Sequence, residues 1–537
     1  MASLGRGARG VQQSAVCGST SVPWPLRERL RATHSFTHRG APLPPPRADR
    51  SHVLYLLRST FRVDSNPALD VALIMSRHLS LPLICVAEFP DTFPRSMDDG
   101  MEPPRRPTNR ETAFRLEALQ ELVKPLQARG CTLFVNVHRD GCRYQAELSM
   151  AAKAALVVCD EHFGIEPFVT ATDRVARTGA PVWLCDTSCT VPSCILDKAA
   201  LRGGNKMFLS ATATLRKARL APGWFPRPSA AARAAATAVD AAAASPPRPA
   251  WAVDLSTNTN AIATLLAAPS RRDVTVTRVR HTRGGPRAAL KRWQRYLARG
   301  GLKTYARFRN DPLREDGRGG SRMSAYINTG MISPIMMARD ATKRKSGKFL
   351  EELVGFRESA CLWCLRHPRG YMNAIVAVPR WAQQQLAAPR GGGYSPDTNY
   401  GSTTTTPELA LLERGESGAA RWDDCQRSLI LAGELHNNVR MAWGKAIPAW
   451  HTAALRNSSS SSRAPTPSER LQAALFLLIR LNDKVQDSSY LLGTLYTCIH
   501  TYIHTYLLTY LLTYSIPTST CTVYLLTLLR TVRLVLT

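Results

Sequence analysis

From residue 52 the hydrophobic positions fall into runs of strand length separated by amphipathic stretches. The runs are HVLYLL, PLICVAEF, CTLFVNV, ALVVCD and PVWLCD; between them lie NPALDVALIMSRHL and helical patterns near 111–129, 143–154 and 165–178. Each run is near-continuously apolar rather than alternating, the mark of a strand buried on both faces. Five such strands with helices between them predict an α/β unit built on a doubly wound parallel sheet. No G-x-G-x-x-G follows the first strand, which leaves ordinary dinucleotide binding there without support.

The pattern changes further along and suggests boundaries. Residues 1–50 read as an N-terminal extension, 51–215 as the α/β domain, 216–285 as a linker, 286–485 as a helical domain and 486–537 as a tail. Ala, Pro and Arg dominate 221–250, including SAAARAAATAVDAAAAS, which fits a solvated linker or a stray helix. RGGGYSPDTNYGSTTTTP at 390–407 has no apolar period and reads as a surface insert in the helical domain. From Tyr490 through Leu529 there is no Asp, Glu, Lys or Arg, and T-Y-L-L recurs every four residues. Its apolarity permits a membrane span, but the many Thr and Tyr argue against one, and a translated tandem nucleotide repeat explains the period more simply.

Composition adds a partner. Lys and Arg number 70 against 40 Asp and Glu, a net charge of +30 with a pI near 10.2. That balance favours a polyanion, nucleic acid ahead of an anionic membrane, over no charged partner at all. RHTRGGPRAALKRWQR at 280–295 is a basic run with Trp293 interleaved, readable as a nucleic-acid contact or as a solvated helix face. The 13 cysteines are scattered, which suits a reducing compartment and free thiols. Cys361 and Cys364 form a C-x-x-C without a second pair at zinc spacing, so no metal is expected; Cys185, Cys189 and Cys194 read as strand-end and loop thiols. The first fifty residues hold eight Arg, no Lys, and only Glu28 and Asp49 as acids, compatible with an organellar transit peptide or with a short segment preceding the first strand.

The segments with candidate chemistry lie in the helical half. RWDDCQRSLILAGELHNNVRMAWGKAIPAW, 421–450, spaces Trp422, Trp443 and Trp450 by 21 and 7 residues around the polar run Glu434, His436, Asn437, Asn438 and Arg440. Upstream stand LKTYARFRNDP at 302–312, GGSRMSAYINTGMISP at 319–334 and FLEELVGFRESA at 349–360. By residue type alone S-R-M-S is a helix cap, and two tryptophans two turns apart are core packing. In combination these segments resemble the DNA photolyase and cryptochrome family, closest to the class II cyclobutane pyrimidine dimer photolyases, over about residues 50–485.

The resemblance implies an α/β domain, in many members carrying a second, antenna chromophore, followed by an all-α FAD-binding domain. It implies light-driven repair, in which reduced FAD passes an electron to a flipped pyrimidine dimer in damaged DNA. Trp422, Trp443 and Trp450 would form an electron path, and Glu352 would serve the lesion chemistry. Tyr305, Ser321, Arg322, Met323, Ser324, Arg357, Asn437 and Arg440 would hold the cofactor. Phe356, Asn438 and Met441 would face the lesion. CDTSCTVPSCILDK, 185–198, looks like the family pattern of a strand ending in Asp before a V-P loop. Three departures stand out: Gly320 where many members carry Thr, Phe356 where many carry Trp, and VQDSSYLLGTL after Lys484 where the family has an acidic D-G-R-D-P-like loop. A cryptochrome-like photoreceptor without repair and an inactive remnant therefore stay open. The resemblance implies a monomer without metal or membrane, serving the nucleus, chloroplast or mitochondrion.

Overall fold

Six strands form one sheet in the order β1-β6-β5-β2-β3-β4: β1 (Leu30–Arg31), β2 (His52–Leu56), β3 (Leu83–Phe89), β4 (Cys131–Val137), β5 (Ala154–Asp160) and β6 (Val182–Cys185). The computed structural model describes residues 21–32, 42–47, 49–92, 106–165, 168–196, 205–221, 246–256, 260–279, 281–311, 318–367, 373–377, 380, 383, 409–436, 439, 472 and 475. β2 to β6 pair in parallel, and β1 runs antiparallel to β6 through Leu30↔Cys185 and Arg31↔Leu184. The five strands expected from their apolar runs are present. β1 was not expected: it is two residues long, and Arg31 is charged yet buried, held 3.0 Å from Glu161 and bonded to Ser193.

Alternate residues of each strand feed two cores, as a sheet covered on both faces requires. Val53, Tyr55, Cys85, Val135 and Val158 pack with the helices Pro67–His78 and Asn109–Gln127. Leu54, Leu56, Val86, Val157 and Leu184 pack with Ala146, Ala151 and Val175 of the helices Ala146–Ala151 and Phe168–Ala176. Local chemistry sets the helix starts. Asn66 accepts a hydrogen bond from Leu69 N–H with Pro67 in the first turn, and Thr108 accepts from Glu111 N–H.

The first core continues without a break into the helical half through Trp293, Tyr296, Met323, Tyr326, Met331 and Phe349. Gly330, at φ +61°, marks a close approach: a Cβ there would run into the Ser59 carbonyl oxygen. Arg62 ties the halves together, donating to the carbonyls of Ser65, Gly330 and Thr187. Residues 246–256 and 260–279, expected within a linker, instead pack on the sheet's β4 side. Trp251 lies 5.9 Å from Phe134 and stacks on Tyr144, Val253 N–H donates to Val135, and the helix Ala261–Ala267 packs on Asn109–Gln127. Isolated large apolar residues suffice to dock a segment that shows no periodicity.

The helices Pro286–Ala298 and Gly301–Phe308 follow, broken at Gly300 in the left-handed region (φ +73°). Trp293 is buried, its Nε1–H bonded to Asp340 Oδ2 at 2.8 Å and its ring beside Tyr296 and Phe349. It is a core residue and not an aromatic presented to nucleic acid. Beyond the helices Ser324–Asn328 and Pro334–Lys343, Gly347–Leu350 runs into a π-helical stretch, Glu351–Phe356, and then the helix Arg357–Arg366. Cys361 and Cys364 sit buried on that last helix. Among the described residues no helix is long and apolar enough to cross a membrane, and no cluster of His, Cys, Asp and Glu could hold a metal ion.

Candidate functional site

The S-R-M-S segment forms a turn ahead of the five-residue helix Ser324–Asn328, with Met323 at the capping position and buried. Neither serine caps the helix; neither hydroxyl has a protein partner among the described residues, and Ser324 is exposed. Arg322 takes a left-handed backbone conformation, φ 54°, and its Nε pairs with the Glu434 carboxylate. Arg292 comes to the same place: Nη1 lies 3.6 Å from Glu434 and donates to the Arg322 carbonyl at 3.2 Å, while its guanidinium covers the Tyr326 ring at 5.2 Å. Two arginines thus share one carboxylate beside two unpartnered hydroxyls. Such a set suits an anion bearing several oxygens.

Tyr305 and Glu352 both lie against Arg309, on neighbouring helical segments. The Tyr305 ring meets Phe349 edge-on at 5.0 Å, and the Arg309 guanidinium lies 5.7 Å from its centroid. Glu352 pairs with Arg309 and Lys348, both at 3.1 Å, and Lys348 also reaches Glu351 at 2.8 Å. Burial pushes the Tyr305 phenol up, only partly offset by Arg309. Burial opposes charge on Lys348, but hydrogen bonds to Glu351 and Glu352 outweigh it and hold the ammonium above its usual range.

Arg357 points elsewhere. The π-helical stretch turns it toward the loop after β6, where it is buried and donates to the Ser188 carbonyl at 3.2 Å. The next residue, Glu358, accepts from Thr190 N–H at 2.7 Å and from Thr190 Oγ1 at 2.6 Å. Asp186, the Asp that closes the expected strand pattern, gathers the N–H groups of Ser188, Cys189 and Ser193. Burial raises Glu358 to about 7 despite the Thr190 hydrogen bonds. Sequence reasoning missed Glu358; its only sign was the carboxylate that follows Arg357 in F-R-E-S.

Phe356 is half-buried. Trp422 is buried on the helix Ala420–Ala432, its Nε1–H donating to the Leu412 carbonyl at 2.9 Å. Asn437, Asn438, Arg440, Met441, Trp443 and Trp450 lie outside the described residues, as do 390–407 and the tail from 486.

A separate cavity of about 380 Å³ opens over the carboxyl ends of β2 and β3, lined by residues that include Arg58, Glu88, Asp91, Arg115, His138 and Glu147. That is where ligands enter open α/β sheets. Arg58 Nε donates to both Glu147 oxygens at 3.0 and 3.1 Å, and Nη1 to Thr172 Oγ1 at 2.7 Å. Across it His138 Nε2 lies 2.8 Å from Glu88, and Arg143 3.1 Å from Asp91.

No family model matches the chain. A deoxyribodipyrimidine photo-lyase of Methanothermobacter thermautotrophicus is 32% identical over 173 residues, covering 31% of this chain and 35% of that protein. Over that stretch the chain is similar to the deoxyribodipyrimidine photo-lyases. A deoxyribodipyrimidine photo-lyase of Arabidopsis thaliana is 27% identical over 155 residues, covering 28% of the chain and 29% of that protein. The matched stretches thus span about a third of the length of these relatives. The cryptochrome of Synechocystis sp. PCC6803 has a similar fold: TM-score 0.50, with 84% of this chain and 89% of that one covered at 14% identity.

Proposed function

We propose that the chain is a class II-like DNA photolyase, which binds FAD in an all-α half behind its α/β domain and repairs cyclobutane pyrimidine dimers in light. The Arg322–Glu434 contact carries the reading, because it joins the S-R-M-S turn to the segment that leads into Asn437 and Arg440. The names of the two curated relatives support it. The residues fit the diphosphate end of FAD: free Ser321 and Ser324 hydroxyls, with Arg322 and Arg292 beside them. When bound, FAD supplies the light-excited electron that opens the dimer ring.

The chain's own residues do the rest. Ser321 and Ser324 donate to phosphate oxygens, and buried Met323 fixes the turn between them. Tyr305, with its proton held on by burial, closes one wall. Glu352, anchored by Arg309 and Lys348, presents a carboxylate to the flipped dimer, with Phe356 and Met441 as apolar contacts and Asn438 beside them. Arg357 braces the site from the β6 loop, and Asn437 and Arg440 complete the flavin side. Trp422, Trp443 and Trp450 relay electrons from the surface. The cavity over β2 and β3 suits a second, antenna chromophore. The protein acts as a monomer on damaged DNA in the nucleus or an organelle.

Phe356 at a position where many members carry Trp favours one other reading, a cryptochrome-like photoreceptor. The deciding experiment purifies the full chain, records its flavin absorption, and follows dimer loss from an irradiated oligonucleotide under near-ultraviolet or blue light. Bound flavin with light-dependent repair supports the proposal. Flavin that photoreduces without repair points to the photoreceptor, and a chain that purifies without flavin would make it a remnant.

A further inference from the structure

Arg287, Lys291, Arg295, Arg299, Lys303 and Arg307 recur every fourth residue along the helices Pro286–Ala298 and Gly301–Phe308, and all six are exposed. There is no acidic residue between Asp273 and Asp311. Three cations near the row are spent on partners: Arg278 on Glu117, Arg292 on Glu434 and Arg309 on Glu352. None of the six makes an ion pair among the described residues, although Arg307 covers the Phe308 ring at 5.0 Å. A step of four residues advances about 6 Å and turns about 40°, so Arg287 to Arg299 form a gently winding row about 18 Å long. Glu121, the acid nearest the start of the row, is bonded to the Arg287 backbone N–H.

We infer that this row is a lesion-independent docking rail for the phosphate backbone of duplex DNA. The inference rests on nucleic acid being the partner, as the proposed function has it, and names a contact outside the flavin site. Charge complementarity decides the occupant. A duplex presents one negative charge about every 1.7 Å, and neutralising its phosphates releases counterions. Three of the four aromatic residues of these helices are turned away from the row: Trp293 and Tyr296 are buried, and Tyr305 packs on Phe349, while the half-buried Phe308 lies under Arg307. Beside the row Leu290 is exposed and Phe308 half-buried, too little for a stacking platform for unpaired bases or an apolar face for a lipid surface. Lys303 and Arg307 share their helix with Tyr305, so the rail ends beside the candidate flavin site.

The test titrates the full chain against an undamaged duplex in darkness, between about 50 and 200 mM salt. A rail variant carries Lys291→Gln, Arg295→Gln, Arg299→Gln and Lys303→Gln. A control variant loses the same charge elsewhere through Lys124→Gln, Lys153→Gln, Arg177→Gln and Lys217→Gln. The rail variant should bind at least about tenfold more weakly, with the slope of log affinity against log salt reduced by roughly 2 to 4. The control should stay near the parent, and Arg295→Lys with Arg299→Lys should restore the parent slope. Equal losses in rail and control variants would reduce the effect to net charge and overturn the inference. So would an unchanged rail variant, or one that loses only binding to phosphatidylserine vesicles. Because neither lesion, light nor flavin enters, failure of the repair reading shows in its own assay and not in this one.

Discussion

The guanidinium of Arg322 holds the carboxylate of Glu434 across 112 residues of chain, with Arg292 on the carboxylate's other side. Arg322 is 56% exposed and Glu434 28%, so the pair contributes little to stability, on the order of 1 kcal/mol or less. Its consequence is orientation: without the carboxylate two arginines face each other and the S-R-M-S turn loses its tether. Glu434→Gln should shift the thermal midpoint by no more than a few degrees while lowering flavin bound per chain severalfold. Unaltered flavin content would separate this contact from the cofactor site.

Much of this arrangement was legible in the sequence, and the gaps have physical causes. β2 to β6 announce themselves because a strand covered on both sides is apolar at nearly every position. β1 does not, since Arg31 is buried by pairing with Glu161, a relation between distant residues that no local pattern records. The period of FLEELVGFRESA reads as a plain α-helix, but the π-helical turn over Glu351–Phe356 sends Glu352 toward Tyr305 and Arg357 toward Ser188. Glu434 stands out in a polar run, yet its partner could come only from the fold. Trp293 misled because a basic neighbourhood says nothing about which helical face an aromatic takes; the buried set Ala289, Trp293 and Tyr296 gives that face.

Trp293 separates a core role from a DNA role. Its indole N–H is bonded to Asp340, so Trp293→Phe gives up one hydrogen bond and some volume, about 1 to 2 kcal/mol, whereas Trp293→Ala costs about 3 to 5 kcal/mol. Denaturant unfolding should show this order. Duplex affinity of the folded Trp293→Phe protein should match the parent; a loss would return Trp293 to the nucleic-acid surface.

Glu358 should make stability fall as pH rises. Its folded value lies near 7 against an ordinary 4.5, so between these values the native state holds a proton that the unfolded chain has released. Stability then declines as pH rises from about 4.5 to about 7 and is flat above. Asp70, raised by burial to about 7, adds a decline of the same sign, so the readout is a difference. Glu358→Gln keeps an oxygen for Thr190 but cannot ionise, and its stability relative to the parent should climb through that window. A pH-independent difference would mean that Glu358 titrates normally in the fold.

Arg58 and Glu147 test whether the cavity over β2 and β3 is held open by a buried charge pair. Their side chains are 4% and 11% exposed, and the geometry is bidentate. Removing either partner strands the other in a site where water is scarce, a loss of about 3 to 5 kcal/mol. Replacing both by apolar side chains of similar volume removes the desolvation cost along with the attraction, so Arg58→Met with Glu147→Leu should be far less harmful than the sum of the single changes. The measurement is a double-mutant cycle by denaturant unfolding. A double loss far smaller than the sum of the single losses supports a closed pair that shapes the cavity, while additive losses would mean that each side chain is held by other neighbours, Thr172 for Arg58 above all.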